Sequence, residues 1–290
     1  MVYHSNNLQK DISRIIHNYP YWKELKNKTI LITQLSKTMF LFLDVLMDKK
    51  VNTRYNISVI VLEENLNKFK YSSLAYSKNP NFHVYPEELC YLMINSEKID
   101  YIIHQEKSIS SMNDSIVNTN QILLWTHLCQ ATKLIYLSST NIYGKINDIL
   151  GTPVKEQRFE YLNCDTIDDL DIEKIRITET LCQAYISQYN INIAIIRLAP
   201  LLSTVQLPLS IVQSSKKERK QATSAHFCYI ADAVSSILHL LTNGEQGQAY
   251  NVASPSLKSF FNGQRKLVNI DTTKMKELGW VGLYMINIDG

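Results

Sequence analysis

Lys133-Leu134-Ile135-Tyr136-Leu137-Ser138-Ser139-Thr140-Asn141-Ile142-Tyr143-Gly144 decides how the rest of the chain is read. Its first five residues form a short apolar run of the kind that suits a buried parallel strand. Gly144 is the first of only eight glycines in 290 residues, so everything upstream must turn without one. Working back, a helix spans about Asp114 to Ala131, preceded by the strand Asp100-Tyr101-Ile102-Ile103-His104. Two further strands are Ile57-Ser58-Val59-Ile60-Val61-Leu62 and Lys28-Thr29-Ile30-Leu31-Ile32-Thr33. Between them lies a strongly apolar helix, Met39 to Leu46, ending near Asp48-Lys49-Lys50. Before the first strand, Ile12, Ile15, Ile16, Tyr19 and Trp22 recur at near-helical spacing from Asp11 to Leu25, with Pro20 interrupting.

Working forward, a helix from Glu173 to Tyr189 leads into Ile191-Asn192-Ile193-Ala194-Ile195-Ile196-Arg197. Ser210 to Lys220 is mostly polar and basic, a loop or frayed helix, and Asp232 to Leu241 is a clear helix. Apolar strands alternating with amphipathic helices predict an α/β fold, a doubly wound parallel sheet covered on both faces. The parts are a helical extension over 1–27, a main domain over 28–200, and a small lobe over 201–290 with segments returning to the main domain.

Composition excludes several function classes. With 45% hydrophobic and 20% charged residues and a net charge of +3, the chain reads as an ordinary globular protein. The one basic cluster, Lys216-Lys217-Glu218-Arg219-Lys220, is short and interrupted by an acid, so neither nucleic acid nor a membrane surface is an expected partner. Five scattered cysteines, Cys90, Cys129, Cys164, Cys182 and Cys228, give no disulfide framework and no zinc spacing. The segment MVYHSNNLQKD lacks an apolar core of the signal-peptide kind, and no run reaches membrane-spanning length, so a cytoplasmic protein is expected. The seven histidines show no HxxxH arrangement, and Gly-x-Ser-x-Gly is absent.

Six strings, in order from about Lys26 to Trp280, resemble the extended short-chain dehydrogenase/reductase family, and within it the NAD-dependent epimerases and dehydratases of nucleotide-linked sugars. Lys26 to Thr33 resembles the first strand, and Leu137 to Gly144 the "LSSxxVYG" motif. Glu179-Thr180-Leu181-Cys182 with Arg197 is similar to the helix and strand after the active-site tyrosine. Phe227 to Val234 resembles "FxYVxDxV", Gly247 to Ala253 "GxxYNVA", and Asp271 to Trp280 "DxxKxxxxLGW". The resemblance implies a Rossmann-like domain with a C-terminal substrate lobe and NAD as cofactor. Here the lobe is shortened, because the intervals from Arg197 to Phe227 and from Ala253 to Trp280 are short, and the segment around Gly263 looks like a trimmed loop.

The residues that the resemblance makes functional are mostly replaced. The glycines of the family's GxxGxxG turn fall on Gln34, Lys37 and Phe40, whose side chains occupy space reserved for bare backbone N–H groups facing a pyrophosphate. Phe40 is expected to push its helix off the sheet or to fill the cofactor cleft. Two small residues after the third strand become Glu106 and Lys107, while His104 matches a common family residue and is expected to pack. The Ser/Thr of proton transfer is retained as Ser139, but the Tyr position falls on Asp171 and the Lys position on Ile175. Lys174 and Arg176 flank it, yet one residue turns a helical side chain by about 100°. The arginine that grips the nucleotide diphosphate is Ala225, and the turn after Arg197 reads Leu202-Ser203-Thr204.

Three readings follow. One is a noncatalytic member, a pseudoenzyme that binds no cofactor and pairs with itself or with an active homologue. Another is an epimerase or dehydratase with a rearranged site using Ser139, Tyr143, Asp171 or Glu173, in surface-polysaccharide precursor synthesis. The third is a relic that folds and does little. Binding of a nucleotide sugar is doubtful in the first and third. For pairing, the resemblance implies a four-helix bundle made by the helices at Asp114–Ala131 and Glu173–Tyr189. On the second helix Ile177, Leu181 and Ala184 are expected to cover the sheet, leaving Ile175, Cys182, Ile186 and Tyr189 as a second stripe. On the first, Ile116, Leu123 and Leu124 lie beside Val117, Leu128 and Trp125. The N-terminal extension is the alternative cover for that face.

Overall fold

The computed structural model describes residues 6–63, 76–86, 98–106, 111–144, 152–158, 167–202, 227–254 and 269–283. Seven strands form one all-parallel sheet: β1 (Thr29–Ile32), β2 (Ser58–Glu63), β3 (Phe82–Pro86), β4 (Tyr101–Gln105), β5 (Lys133–Ser139), β6 (Ile193–Leu198) and β9 (Ala249–Val252). They run in the order β3-β2-β1-β4-β5-β6-β9, so the winding reverses between β1 and β4. A separate two-stranded ladder joins β7 (Leu201–Leu202) to β8 (Cys228–Tyr229). Before, between and after the strands come the helices α1 (Asn6–Asn18), α2 (Lys37–Leu46), α3 (Lys49–Tyr55), α4 (Met112–Leu128), α5 (Ile167–Tyr189), α6 (Ile230–Asn243) and α7 (Thr273–Glu277). This is the doubly wound sheet that the alternating pattern predicts. The segment from Ser210 to Lys220 lies outside the described residues.

Alternate residues along each strand face opposite layers. Ile30, Ile32, Val59, Val61, Ile103, Ile135, Leu137, Ala194 and Ile196 pack with α1, α2 and α6 in one cluster. Leu31, Ile60, Leu62, Ile102, Leu134, Tyr136, Ile193 and Ile195 pack with α4 and α5 in the other. Lys133 opens β5 yet is buried, because its ammonium donates to Leu240 O at 3.2 Å and Thr242 O at 3.5 Å, capping the carboxyl end of α6.

The N-terminal extension does not cover the α4–α5 face. Leu8, Ile12 and Ile15 of α1 are buried against α2 and α6, on the opposite side of the sheet. The Tyr229 hydroxyl donates to Asp11 at 2.6 Å, and the Tyr19 hydroxyl donates to Thr242 Oγ1 at 3.3 Å. The stripes on α5 are also partly different from expectation: Leu181 packs toward the sheet and Tyr189 is exposed as expected, but three other residues change sides. Thr178 and Cys182 are buried toward the sheet with Ile186 packed beside them, whereas Ala184 is exposed.

Turns without glycine are made by other residues. Positive φ falls on Asn27 (57°), Asn56 (49°), Gln130 (51°) and Asn190 (54°), and asparagine is the non-glycine type that best tolerates this region. Asn56 closes α3 in the left-handed conformation, and its amide donates to Asn27 Oδ1 at 3.0 Å.

Candidate functional site

The reversal of winding opens a crevice at the carboxyl ends of β1 and β4, the place where open α/β sheets bind ligands. The turn from β1 into α2 starts at Thr33, whose N–H donates to Ile103 O at 3.1 Å. Its hydroxyl shares a 2.8 Å hydrogen bond with His104 Nδ1, and His104 Nε2 lies 3.2 Å from Thr119 Oγ1. His104 is therefore buried and bonded at both ring nitrogens. Glu106 turns inward: one carboxylate oxygen accepts from Thr119 and lies 3.3 Å from His104 Nε2. Burial works against its charge, but His104, Thr119 and Ser115 together hold its pKa below the usual carboxylate value.

Ser36 caps α2, its hydroxyl oxygen accepting from the Met39 N–H at 3.4 Å. Gln34, Lys37 and Phe40 are all half-buried. Phe40 neither fills the crevice nor displaces its helix, since Met39, Leu43 and Leu46 remain in the core beside Ile30 and Ile32. The cleft beside the turn is lined by residues that include Thr33, Gln34, Leu62, His104, Gln105 and Glu106. Its volume is about 20 Å³, room for little more than one water molecule. Lys107 and Ala225 lie outside the described residues.

At the end of β5, Ser139 is half-buried, and its hydroxyl oxygen caps a 3-10 turn (Thr140–Tyr143) by accepting from Asn141 N at 3.1 Å. Asp171 stands on α5 with its side chain 70% exposed, 3.5 Å from Lys174 Nζ. Ile175, one turn further on, packs against Ile142, Tyr143, Val154 and Ile270. The neighbouring Arg176 donates to Ile142 O at 3.1 Å and pairs with Glu173 at 3.4 Å, so it ties α5 to the turn.

Beneath these positions lies a buried polar network whose members are mostly absent from the sequence-derived candidates. Arg197 grips Glu179 in a fork (Nε–Oε1 3.1 Å, Nη2–Oε2 2.7 Å) and donates to Tyr143 Oη at 3.0 Å and Glu156 O at 2.6 Å. Burial opposes the guanidinium charge, but Glu179 raises its pKa above the ordinary value. Ser138 also donates to Glu179, at 2.6 Å, and the Tyr143 hydroxyl donates to Asn251 Oδ1, also at 2.6 Å. Burial pushes the Tyr143 phenol up to about 12 against the opposing pull of Arg197. With 1% exposure and its hydroxyl committed on both sides, Tyr143 is a structural residue and not the surface group that a rearranged site needs. Asp232 is likewise interior, accepting from Ser254 Oγ and from Leu283 N at 2.6 Å.

One site-type residue escaped the sequence reading. Glu63 ends β2, about twenty residues past the turn, where dinucleotide sites keep an acid for the ribose hydroxyls. Counting that interval forward from the turn finds it.

Sheet order and the crevice at the reversal of winding define a Rossmann-like class of doubly wound α/β protein. The profile of the NAD dependent epimerase/dehydratase family matches residues 56–253, and the chain belongs to that family. The match begins downstream of β1 and its turn. A dTDP-D-glucose 4,6-dehydratase of Dictyostelium discoideum is 24% identical over 222 residues, covering 67% of this chain and 51% of that protein. The chain thus matches about half the length of that relative. A bovine (Bos taurus) dTDP-D-glucose 4,6-dehydratase is 23% identical over 250 residues, covering 75% and 68%. Among solved structures, dTDP-glucose 4,6-dehydratase of Bacillus anthracis in complex with NAD superposes with a TM-score of 0.68 at 15% identity, covering 89% of this chain and 92% of that one. UDP-glucose 4-epimerase of Thermotoga maritima with UDP-glucose gives 0.62 at 17% identity, covering 88% and 93%. Among the described residues no helix is long and apolar enough to cross a membrane.

A dinucleotide in this crevice needs backbone N–H donors for its pyrophosphate and close approach of the turn. Here the Ser36 hydroxyl takes the Met39 N–H, side chains stand at all three glycine positions, and the adjoining cleft is water-sized. The residues present do not fit NAD in the family's manner.

Proposed function

We propose that this chain is a noncatalytic member of the NAD dependent epimerase/dehydratase family that acts by association, either with a second copy or with an active nucleotide-sugar enzyme of the same fold. The observation that carries the reading is the packing of Ile175. The position where the family resemblance requires a lysine belongs to a hydrophobic cluster with Ile142, Val154 and Ile270. Asp171, at the tyrosine position, faces solvent. The turn with Gln34, Lys37 and Phe40 supports the same conclusion from the cofactor side. The cysteines Cys129, Cys182 and Cys228 are free thiols, in keeping with a reducing cytosol.

Calorimetry tests the reading. NAD(H) and NADP(H) should give no heat of binding at low micromolar concentration, and dTDP-glucose and UDP-glucose should not turn over. A dissociation constant below about 10 μM, roughly −7 kcal/mol, for any of the four dinucleotides overturns it. Glu63 and Ser139 favour a second reading, an enzyme with a rearranged site that still holds a nucleotide by its ribose. A nucleotide in the mass spectrum of untreated purified protein decides for that one.

A further inference from the structure

The last turn of α6 carries a chemistry of its own, away from the crevice. It closes on Thr242-Asn243-Gly244, and among the described residues Asn243 is the one asparagine followed by glycine. An asparagine amide is an acyl group that lacks only a nucleophile. In an Asn-Gly pair the next main-chain nitrogen can supply it, because glycine has no side chain to block the approach. That nitrogen gives its proton to hydroxide and attacks Cγ. The Cγ–Nδ2 bond breaks, the departing nitrogen takes a proton from water and leaves as ammonia, and the hydroxide is restored. Water then opens the cyclic imide at either carbonyl, giving aspartate or, with the main chain rerouted through Cβ, isoaspartate. Nothing is oxidised or reduced, and water and hydroxide are the only co-reactants.

The fold holds each participant off that path. Asn243 is half-buried, and its Nδ2 donates to His239 O at 3.2 Å and to Thr242 Oγ1 at 2.8 Å. The Gly244 N–H, which has to lose its proton, donates to Leu240 O at 3.0 Å. The same Leu240 carbonyl accepts from the buried ammonium of Lys133 at 3.2 Å, and Thr242 O accepts from it at 3.5 Å. Gly244 is packed so closely that an added Cβ would stand 2.7 Å from Leu240 O and 3.0 Å from the Ala194 Cβ, so the main chain there has little freedom to turn. Ring closure also needs Asn243 to leave its helical backbone geometry, since the ring includes its Cα and carbonyl carbon. We propose that Asn243-Gly244 is a site of spontaneous deamidation that Lys133 keeps closed, so that the modification records openings of the last turn of α6. Helix ends open more readily than helix middles, and each opening frees the amide and the nitrogen together. The guard belongs to the central sheet: Lys133 opens β5, and the turn cannot open without giving up that contact. The site behaves alike whether or not the crevice holds a nucleotide.

The test keeps the full chain in mildly alkaline buffer, with and without urea, and digests samples with trypsin over time. Asn243 falls in the peptide from Gln221 to Lys258, where fragment ions separate it from Asn251. The chain's other Asn-Gly pair, Asn262-Gly263, lies outside the described residues and falls in a different peptide, Ser259 to Arg265, so mass spectrometry reads the two apart. In urea Asn243 should convert to the acid, and in the folded chain it should do so at least about tenfold more slowly. Lys133→Met keeps the length of the side chain and removes its donors. The folded variant should convert Asn243 roughly threefold faster than folded wild type, or more, with the rate in urea unchanged. Should Lys133→Met fail to fold, Thr242→Val, which takes away the hydroxyl beside the Asn243 amide, tests the same closure. Equal rates with and without urea overturn the proposal, as does an Asn243 that stays intact in urea. A folded variant that deamidates no faster than wild type overturns it too, since the turn is then not held shut by these contacts.

Discussion

Ile175 shows at the residue scale why one substitution does not remake a site. Its neighbours Ile142, Tyr143, Val154 and Ile270 give the half-buried side chain an apolar contact, which a lysine would forfeit as its ammonium reached out toward solvent and Asp171, one turn back. Ile175→Lys should therefore destabilise the fold by about 1 kcal/mol, read by urea unfolding. The double variant Asp171→Tyr/Ile175→Lys should turn over neither dTDP-glucose nor UDP-glucose, because the cofactor turn is untouched; product in a chromatographic assay would disprove that. A different carboxylate contributes a pH dependence to stability. Asp44 is half-buried on α2, and burial raises its pKa to about 6, against the pull of the Tyr76 hydroxyl. The native state then holds this proton more tightly than the unfolded chain, whose value is near 3.8. Its contribution is fully present below about pH 4 and is lost as pH rises through 6, so Asp44→Asn should flatten that slope. At pH 7 the variant should be more stable by on the order of 2 kcal/mol, checked by denaturation at pH 5 and 7. Single residues were the least legible scale. The replaced positions could be counted off motifs, but the Arg197–Glu179–Tyr143 network joins side chains 18 to 54 positions apart and leaves no local trace.

At the scale of elements, long periodic segments were readable and short ones were not. The strands β1, β2, β4, β5 and β6 follow from apolar runs, and α4, α5 and α6 from helical spacing. The reading missed β3 because Phe82-His83-Val84-Tyr85-Pro86 is an edge strand, buried only at Phe82, so it has no continuous apolar run. It missed α3 because Lys49 to Tyr55 is short and polar, held by the Asp48 cap. The faces of α5 were misassigned at Cys182, Ile186 and Ala184, though not at Leu181 or Tyr189, because the polar types Thr178 and Glu179 are among the buried ones. Val117 (44% exposed), Leu124 (39%) and Leu128 (57%) lie on the outer side of α4, with Ala184 and Tyr189 exposed on α5. If that face pairs, Leu124→Glu with Leu128→Glu should turn a dimer into a monomer by sedimentation without lowering the melting temperature. Ile186→Glu should instead weaken the fold, since Ile186 packs on the sheet-facing cluster. A wild-type chain that is monomeric at about 50 μM, roughly −6 kcal/mol, removes self-pairing and leaves only the heteromer.

For the whole molecule, the arrangement of α1 has a consequence for how the chain is made. Leu8, Ile12 and Ile15 lie against α6, and Asp11 accepts the hydroxyl of Tyr229, 218 residues later. A ribosome adding about 5–20 residues per second needs roughly ten to forty seconds to travel that interval. For that time α1 has neither α6 nor its tyrosine to settle on. Its apolar stripe is then a natural landing place for a chaperone, and Tyr229 with α6 acts as the latch for α1. Nascent chains arrested before residue 225 should be cut by protease within residues 6–18, and released full-length chains should resist. Equal protection in both would mean that α2 alone suffices to hold the helix down.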